Sequence, residues 1–119
     1  MTTTKIEILV RFEVEPDNLA AFHKKIGELT AAVSAEEPGT HAYEFFLDAS
    51  STSCVLHERY PDSDALLAHL ARTGPELPGL LAVATAASVY VLGDASPKAR
   101  EALAAFGAKF LSPAAGFVR

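Results

Sequence analysis

His69, within "ALLAHLART", and Glu58, within "VLHERY", are the two side chains best suited to proton chemistry. An imidazole titrates near neutral pH, so it can take or give a proton under ordinary conditions. A carboxylate enclosed on a strand face with Cys54 and Leu56 changes its proton affinity unless a cation such as Arg11 or Arg59 pairs with it. Tyr43 and Tyr60, and Tyr90 in the same way, can line an aromatic pocket or donate a hydrogen bond to a substrate oxygen. Such a set supports proton transfer and the holding of oxygen atoms. Each also has a plain structural reading: a helix-surface or interface histidine, an ion pair, tyrosines that pack. His23, His41 and His57 read as solvent or interface residues.

Other chemistries lack their residues. No H-x₃-H or C-x₂-C spacing occurs, and His57 and Glu58 are sequence neighbours that a strand sends to opposite faces. Neither G-x-G-x-x-G nor a Walker sequence is present for a nucleotide. The single cysteine, Cys54, sits in the apolar run "CVL" and reads as a small core hydrophobe rather than a reactive thiol.

The elements that must position these residues follow from periodicity. "KIEILVRFEV" (5–14) alternates apolar and polar and predicts a first strand. After "EPD", where Asp17 offers a capping oxygen, apolar residues at Leu19, Phe22, Ile26, Leu29 and Val33 predict an amphipathic helix ending before Pro38. "EEPGTHAYEFF" (36–46) then reverses at Pro38-Gly39, with φ > 0 open to the glycine, and turns extended from about Thr40 to Asp48. Alternation there places Tyr43 and Glu44 on opposite faces, so only one of them can enter a given pocket.

"SCVLHERY" predicts a third strand in a hairpin with the second, and "PDSDALLAHLART" a short second helix whose apolar stripe lies near His69. "TGPELPGLLAVA" reads as an ordered apolar loop able to cover a pocket, and "ASVYVL" as a fourth strand. Ser96 and Pro97 then start a C-terminal helix expected over residues 96–111. The order β-α-β-β-α-β predicts an α+β, ferredoxin-like, four-stranded antiparallel sheet in one domain, with residues 5–92 as its core.

Two helices cover one side of such a sheet, yet the strands are apolar on both: Leu9 opposite Val10, Phe46 opposite Phe45, Val55 opposite Leu56. A second copy packed sheet to sheet is the economical cover, so a homodimer is expected. The 119 residues carry 10 Lys plus Arg against 15 Asp plus Glu, a formal charge of −5, which argues against a nucleic-acid partner. No apolar run approaches the roughly 20 residues of a membrane span, and the N-terminus lacks a secretory apolar core; a cytoplasmic location is expected.

"EPGTHAYEFF" (37–46), "VLHERYPDSDALLAHL" (55–70) and this element order resemble the antibiotic biosynthesis monooxygenase family, including its small quinol monooxygenases, over residues 5–92. The resemblance implies a dimeric α+β barrel that inserts oxygen from O₂ into a quinol or anthrone type of aromatic, with no metal, flavin or haem cofactor. It matches His69 to a recurring helix-two histidine and Glu58 to the acid of strand three. These two are the catalytic candidates, and Tyr43, Tyr60, Arg59 and Phe46 are expected as substrate contacts. Related barrels include haem-degrading enzymes, isomerases and proteins of no known activity, so a noncatalytic ligand-binding or stress-related dimeric barrel protein is the alternative reading, with haem degradation behind it. Tyr60 stands where many members carry tryptophan, and this chain has no Trp, which sets it apart from mechanisms that rely on an indole.

Overall fold

The alternating segment at the start of the chain forms β1 (Ile6–Glu13), with Ile6, Ile8, Val10 and Phe12 buried on one face. The structure is a computed structural model and describes residues 4–119. A 3₁₀ turn over Pro16–Asn18 leads into α1 (Leu19–Glu36), which buries Phe22, Leu29 and Val33. Each fully buried side chain of this size contributes about 1.5–3 kcal/mol. The helix begins after Asn18 without a side-chain cap, so Asp17 does not play the capping part its position suggested.

A turn in which the Thr40 amide donates to the Glu37 carbonyl at 3.0 Å leads to β2 (Ala42–Leu47). Gly39 does not use a left-handed conformation, contrary to expectation. Its use is close packing: a Cβ there would lie 3.3 Å from the Ala65 methyl carbon. β3 (Ser53–Tyr60) returns antiparallel, and α2 (Ser63–Thr73) starts with the Asp62 carboxylate accepting from the Ala65 amide at 2.8 Å.

The expected apolar loop is more ordered than its Pro/Gly content implied. It holds a 3₁₀ turn (Gly74–Glu76) and a short helix, α3 (Leu77–Leu81), because each proline falls in a first turn where its missing N–H costs nothing. Lys25 of α1 ties this segment down through Glu76 at 3.1 Å.

β4 (Thr85–Leu92) completes the antiparallel set beside β1. Gly93 follows at φ +121°, where a Cβ would sit 2.6 Å from the Lys5 carbonyl oxygen, so only glycine fits this turn. α4 (Pro97–Ala104) has Ser96 as its N-cap, as expected, but ends well short of residue 111. Gly107 at φ +70° breaks it, and Lys109–Leu111 form β5, parallel to β4. The sheet is therefore five-stranded and mixed, in the order β2-β3-β1-β4-β5, with the ferredoxin-like arrangement intact in its first four strands.

α4 packs against α2, on the helical side of the sheet, and buries Ala99 and Leu103. The other face keeps Phe46, Val55 and Tyr90 exposed. No helix among the described residues is long and apolar enough to cross a membrane.

Candidate active site between the sheet and α2

Strand register brings the first site residues together. Tyr43 lies directly opposite Glu58, and Glu58 opposite Ile8, so the three form one cross-strand row on the helical face. Tyr60 is two residues along β3, on the same face as Glu58, and α2 lays His69 over the row. The His69 ring centroid is 5.4 Å from that of Tyr60 and 5.6 Å from that of Tyr43.

Glu58 and His69 are only 6 % and 5 % exposed, yet both border a cavity of about 430 Å³. Thr73 and Tyr43 complete its polar end. Val10, Leu56, Leu70 and Leu80 form its walls, and the exposed Leu81 and Phe106 stand among the residues around it. α3 and the end of α4 thus supply much of the apolar enclosure, as the Pro/Gly segment was expected to do.

His69 is held from both sides. Nδ1 donates to Glu37 Oε1 at 2.5 Å, and Nε2 lies 3.3 Å from Glu58 Oε1. The Tyr60 hydroxyl donates to the same Glu58 oxygen through a short hydrogen bond. Thr73 Oγ1 donates to the His69 carbonyl at 2.7 Å, which steadies the helix turn that carries the imidazole. Burial by itself pushes the His69 imidazole toward its neutral form. The hydrogen bonds and charges of Glu58 and Glu37 outweigh it and raise the pKa above the ordinary value. An imidazole hydrogen-bonded through Nδ1 to one carboxylate and ion-paired through Nε2 with another is held as a cation, rather than as a free base.

Glu37 is the residue that sequence reasoning missed. Its Oε1 also accepts from Thr40 Oγ1 at 2.8 Å, and its Oε2 accepts from Arg72 Nε at 2.5 Å. Burial acts to raise its pKa, but the bonds from His69, Arg72 and Thr40 prevail and hold it below the usual carboxylate range. The signals were present but faint: an acid one residue before the Pro-Gly turn, Thr40 three residues on, and Arg72 three residues after His69 on one helix face.

The tyrosines are kept protonated. Burial first, then the negative charges of Glu58 and Glu37, push Tyr43 upward, and burial with Glu58 does the same to Tyr60. Both hydroxyls are donors. Cys54, on β3 and on the helical face of the sheet, is buried, with its thiol pushed up to about 11 by burial, as suits a core residue.

Arg59 and Phe46 are not part of this cavity. Both sit on the opposite sheet face, Phe46 54 % exposed and Arg59 bonded to Glu7 at 3.3 Å. Alternation requires this, because each is adjacent in its strand to an inward-facing residue. Nor does Arg11 or Arg59 pair with Glu58; Arg11 bonds to Glu13 at 2.9 Å. Glu44, His41 and His23 are exposed. Among the described residues no cluster of three His, Cys, Asp or Glu side chains is arranged to hold a metal ion.

Comparison with known proteins agrees with this architecture. No curated protein matches the sequence. Among solved structures, MupZ from Pseudomonas fluorescens is 25 % identical, covers 97 % of this chain and 94 % of its own, and superposes with a TM-score of 0.86. SnoaB from Streptomyces nogalater, a cofactor-independent oxygenase solved as a point mutant, is 25 % identical over 74 % of this chain and 88 % of its own, at a TM-score of 0.58. Rv0793 from Mycobacterium tuberculosis, at 22 % identity, 77 % and 96 % coverage and a TM-score of 0.65, shares the fold. The family model for antibiotic biosynthesis monooxygenase matches residues 6–74, the stretch that contributes Glu37, Tyr43, Glu58, Tyr60 and His69. With more than half of its length matched and its site residues inside that match, the chain belongs to the antibiotic biosynthesis monooxygenase family.

Proposed function

We propose that this protein is a cofactor-independent monooxygenase that oxidises a hydroxylated aromatic, of quinol or anthrone type, with O₂. The observation that carries the reading is the polarity of the cavity: one buried acid–imidazole end in an otherwise apolar chamber. Such a chamber favours a substrate with a single ionisable head and an apolar body, and it keeps water from a reactive anion. A cavity of about 150 Å³ accepts benzene, so the 430 Å³ here suits a body nearer three fused rings than one.

Glu58 Oε1 accepts from Tyr60 and is ion-paired with His69, so Oε2 is the oxygen offered to a ligand and the acceptor for its proton. The positive charge on His69 offsets the negative charge left on the substrate. For an anthrone-type carbon the chemistry balances as R₂CH₂ + O₂ → R₂C=O + H₂O. The carbanion passes one electron to O₂, the radical pair joins as a C–O–OH group, and cleavage of its O–O bond with loss of the second carbon-bound hydrogen releases water. The SnoaB likeness supports the same class. The exposed Phe46, Val55 and Tyr90 support a homodimer joined through the open sheet face.

A noncatalytic ligand-binding barrel is the second reading, favoured by the engagement of both His69 nitrogens. Haem ligation by His69 is disfavoured on the same ground, since the iron would have to displace a carboxylate. The deciding experiment is oxygen uptake by the metal-stripped protein with hydroquinones and dithranol, each corrected for autoxidation. Enzyme-dependent uptake that survives chelator supports the monooxygenase. Calorimetric binding of dithranol without uptake supports the ligand-binding barrel.

A further inference from the structure

Glu37 and Arg72 do not border the cavity, yet Glu37 is bonded to the one imidazole that does and Arg72 is bonded to Glu37. The Glu37 side chain is 7 % exposed, as enclosed as His69 itself at 6 %. A carboxylate so placed is costly unless each oxygen is satisfied, and here every partner is a donor: Thr40 and His69 on Oε1, Arg72 on Oε2. From Arg72 the line of contacts leaves the interior. Its Nη1 donates to Glu36 Oε2 at 2.5 Å, and the Glu36 side chain is 60 % exposed.

We propose that Glu37 is the positioning residue of this site: it fixes the His69 ring, keeps Nε2 turned toward Glu58, and is itself held in place by Arg72 and Thr40. The role depends on His69 and Glu58 being the polar end of the site, as proposed above, and not on O₂ as the co-reactant. An imidazole held by a carboxylate at one nitrogen presents the other in a defined direction and charge state, which is how a third group orients a base in hydrolytic triads.

The charged and titratable groups that face His69 are Glu37 from the end of α1, Tyr43 from β2, and Glu58 and Tyr60 from β3; Arg72 of α2 reaches it through Glu37. Only Glu37 and Glu58 can hold its positive charge. Glu58 faces the cavity, so a bound ligand competes for it. Glu37 has no such competitor and is the constant partner.

The test is the titration of His69 by NMR in the full-length protein without ligand. In the wild type, His69 is expected to stay charged through neutral pH and to show a downfield Nδ1 proton protected from exchange. Glu37→Gln should lower its titration midpoint by at least one unit, about tenfold in proton affinity, and abolish the downfield signal. Glu37→Asp should recover part of both. A folded Glu37→Gln protein with an unchanged midpoint and signal would overturn the proposal and reduce Glu37 to a staple between α1 and α2.

Should Glu37→Gln fail to fold, Arg72→Met and Thr40→Val each remove one donor from Glu37 and spare the carboxylate. Both are expected to strengthen its hold on the His69 proton and raise the midpoint; no movement in either would overturn the proposal equally. Absence of oxygen uptake by the wild type would count against the monooxygenase and leave these outcomes intact.

Discussion

Two histidines of this chain have nearly the same partners and opposite surroundings. His69 lies between Glu37 and Glu58 under α2, with Arg72 behind Glu37. His57 lies against Glu7 at 2.9 Å on the open sheet face, with Lys5 and Arg59 on the same carboxylate. Side-chain exposure separates them: 6 % for His69 and 22 % for His57. Glu7, like Glu37, is penalised by burial and rescued by its donors, and it too is held low. The buried cluster adjoins the apolar cavity between the sheet and α2 with its imidazole on the lining, whereas Glu7 and Lys5 of the open-face cluster border a second cavity, formed with the C-terminal tail, that His57 does not line. Residue type alone therefore does not make a site; a charged pair becomes chemically useful where water is excluded and a ligand can reach it.

The sharpest way to break the comparison is to delete each imidazole. His69→Ala leaves two enclosed carboxylates without their shared cation and should cost about 3–5 kcal/mol of stability in urea denaturation at neutral pH. A loss below about 1 kcal/mol would mean that water already reaches the cluster. Glu58→Gln preserves shape and removes the proton acceptor. Oxygen uptake should fall at least about 100-fold, near 2.7 kcal/mol of barrier, with the fold intact by circular dichroism. Unchanged uptake would remove Glu58 from the chemistry.

pH should separate the clusters more gently. The folded Glu37 value lies below the ordinary 4.5, so its stabilisation is present above 4.5 and lost as pH falls through the folded value. The folded His69 value lies above the ordinary 6.5, so its stabilisation is complete below 6.5 and lost as pH rises through the folded value. The stability gap between wild type and Glu37→Gln should therefore be widest between 4.5 and 6.5 and narrow on both sides. A gap that stays flat from about pH 3 to pH 10 would show that the pair is not ionic. The smallest effect belongs to His57→Ala, expected within about 1 kcal/mol and smaller still in high salt. A larger, salt-insensitive loss would show that the open face is covered in solution.

Much of this site was legible because a strand has a period of two. Alternation in "SCVLHERY" put Glu58 and Tyr60 on the face with Cys54 and Leu56, and that is where they lie. The same rule had already sent Arg59 outward and Phe46 away from Tyr43, so naming them as substrate contacts went against the pattern, and the structure follows the pattern. The C-terminal segment was harder to read. Phe106 and Phe110 continued a helical spacing, but Gly107 takes a left-handed turn and the tail finds a free sheet edge at β4. Pairing with a strand satisfies backbone groups that a frayed helix end leaves open.

By itself, the sequence determined the element order, the faces of the strands, the helix starts at Asp62 and Ser96, and a histidine and an acid as the residues to watch. These depend on local periodicity and on capping oxygens, which act over a few residues. Only the tertiary structure decided that His69 is clamped rather than free, because its partners lie 11 and 32 residues away, on different elements. It also decided that α4 closes the cavity beside α2 rather than covering the open face. Burial of charge is a property of the assembled layers, and no local pattern carries it.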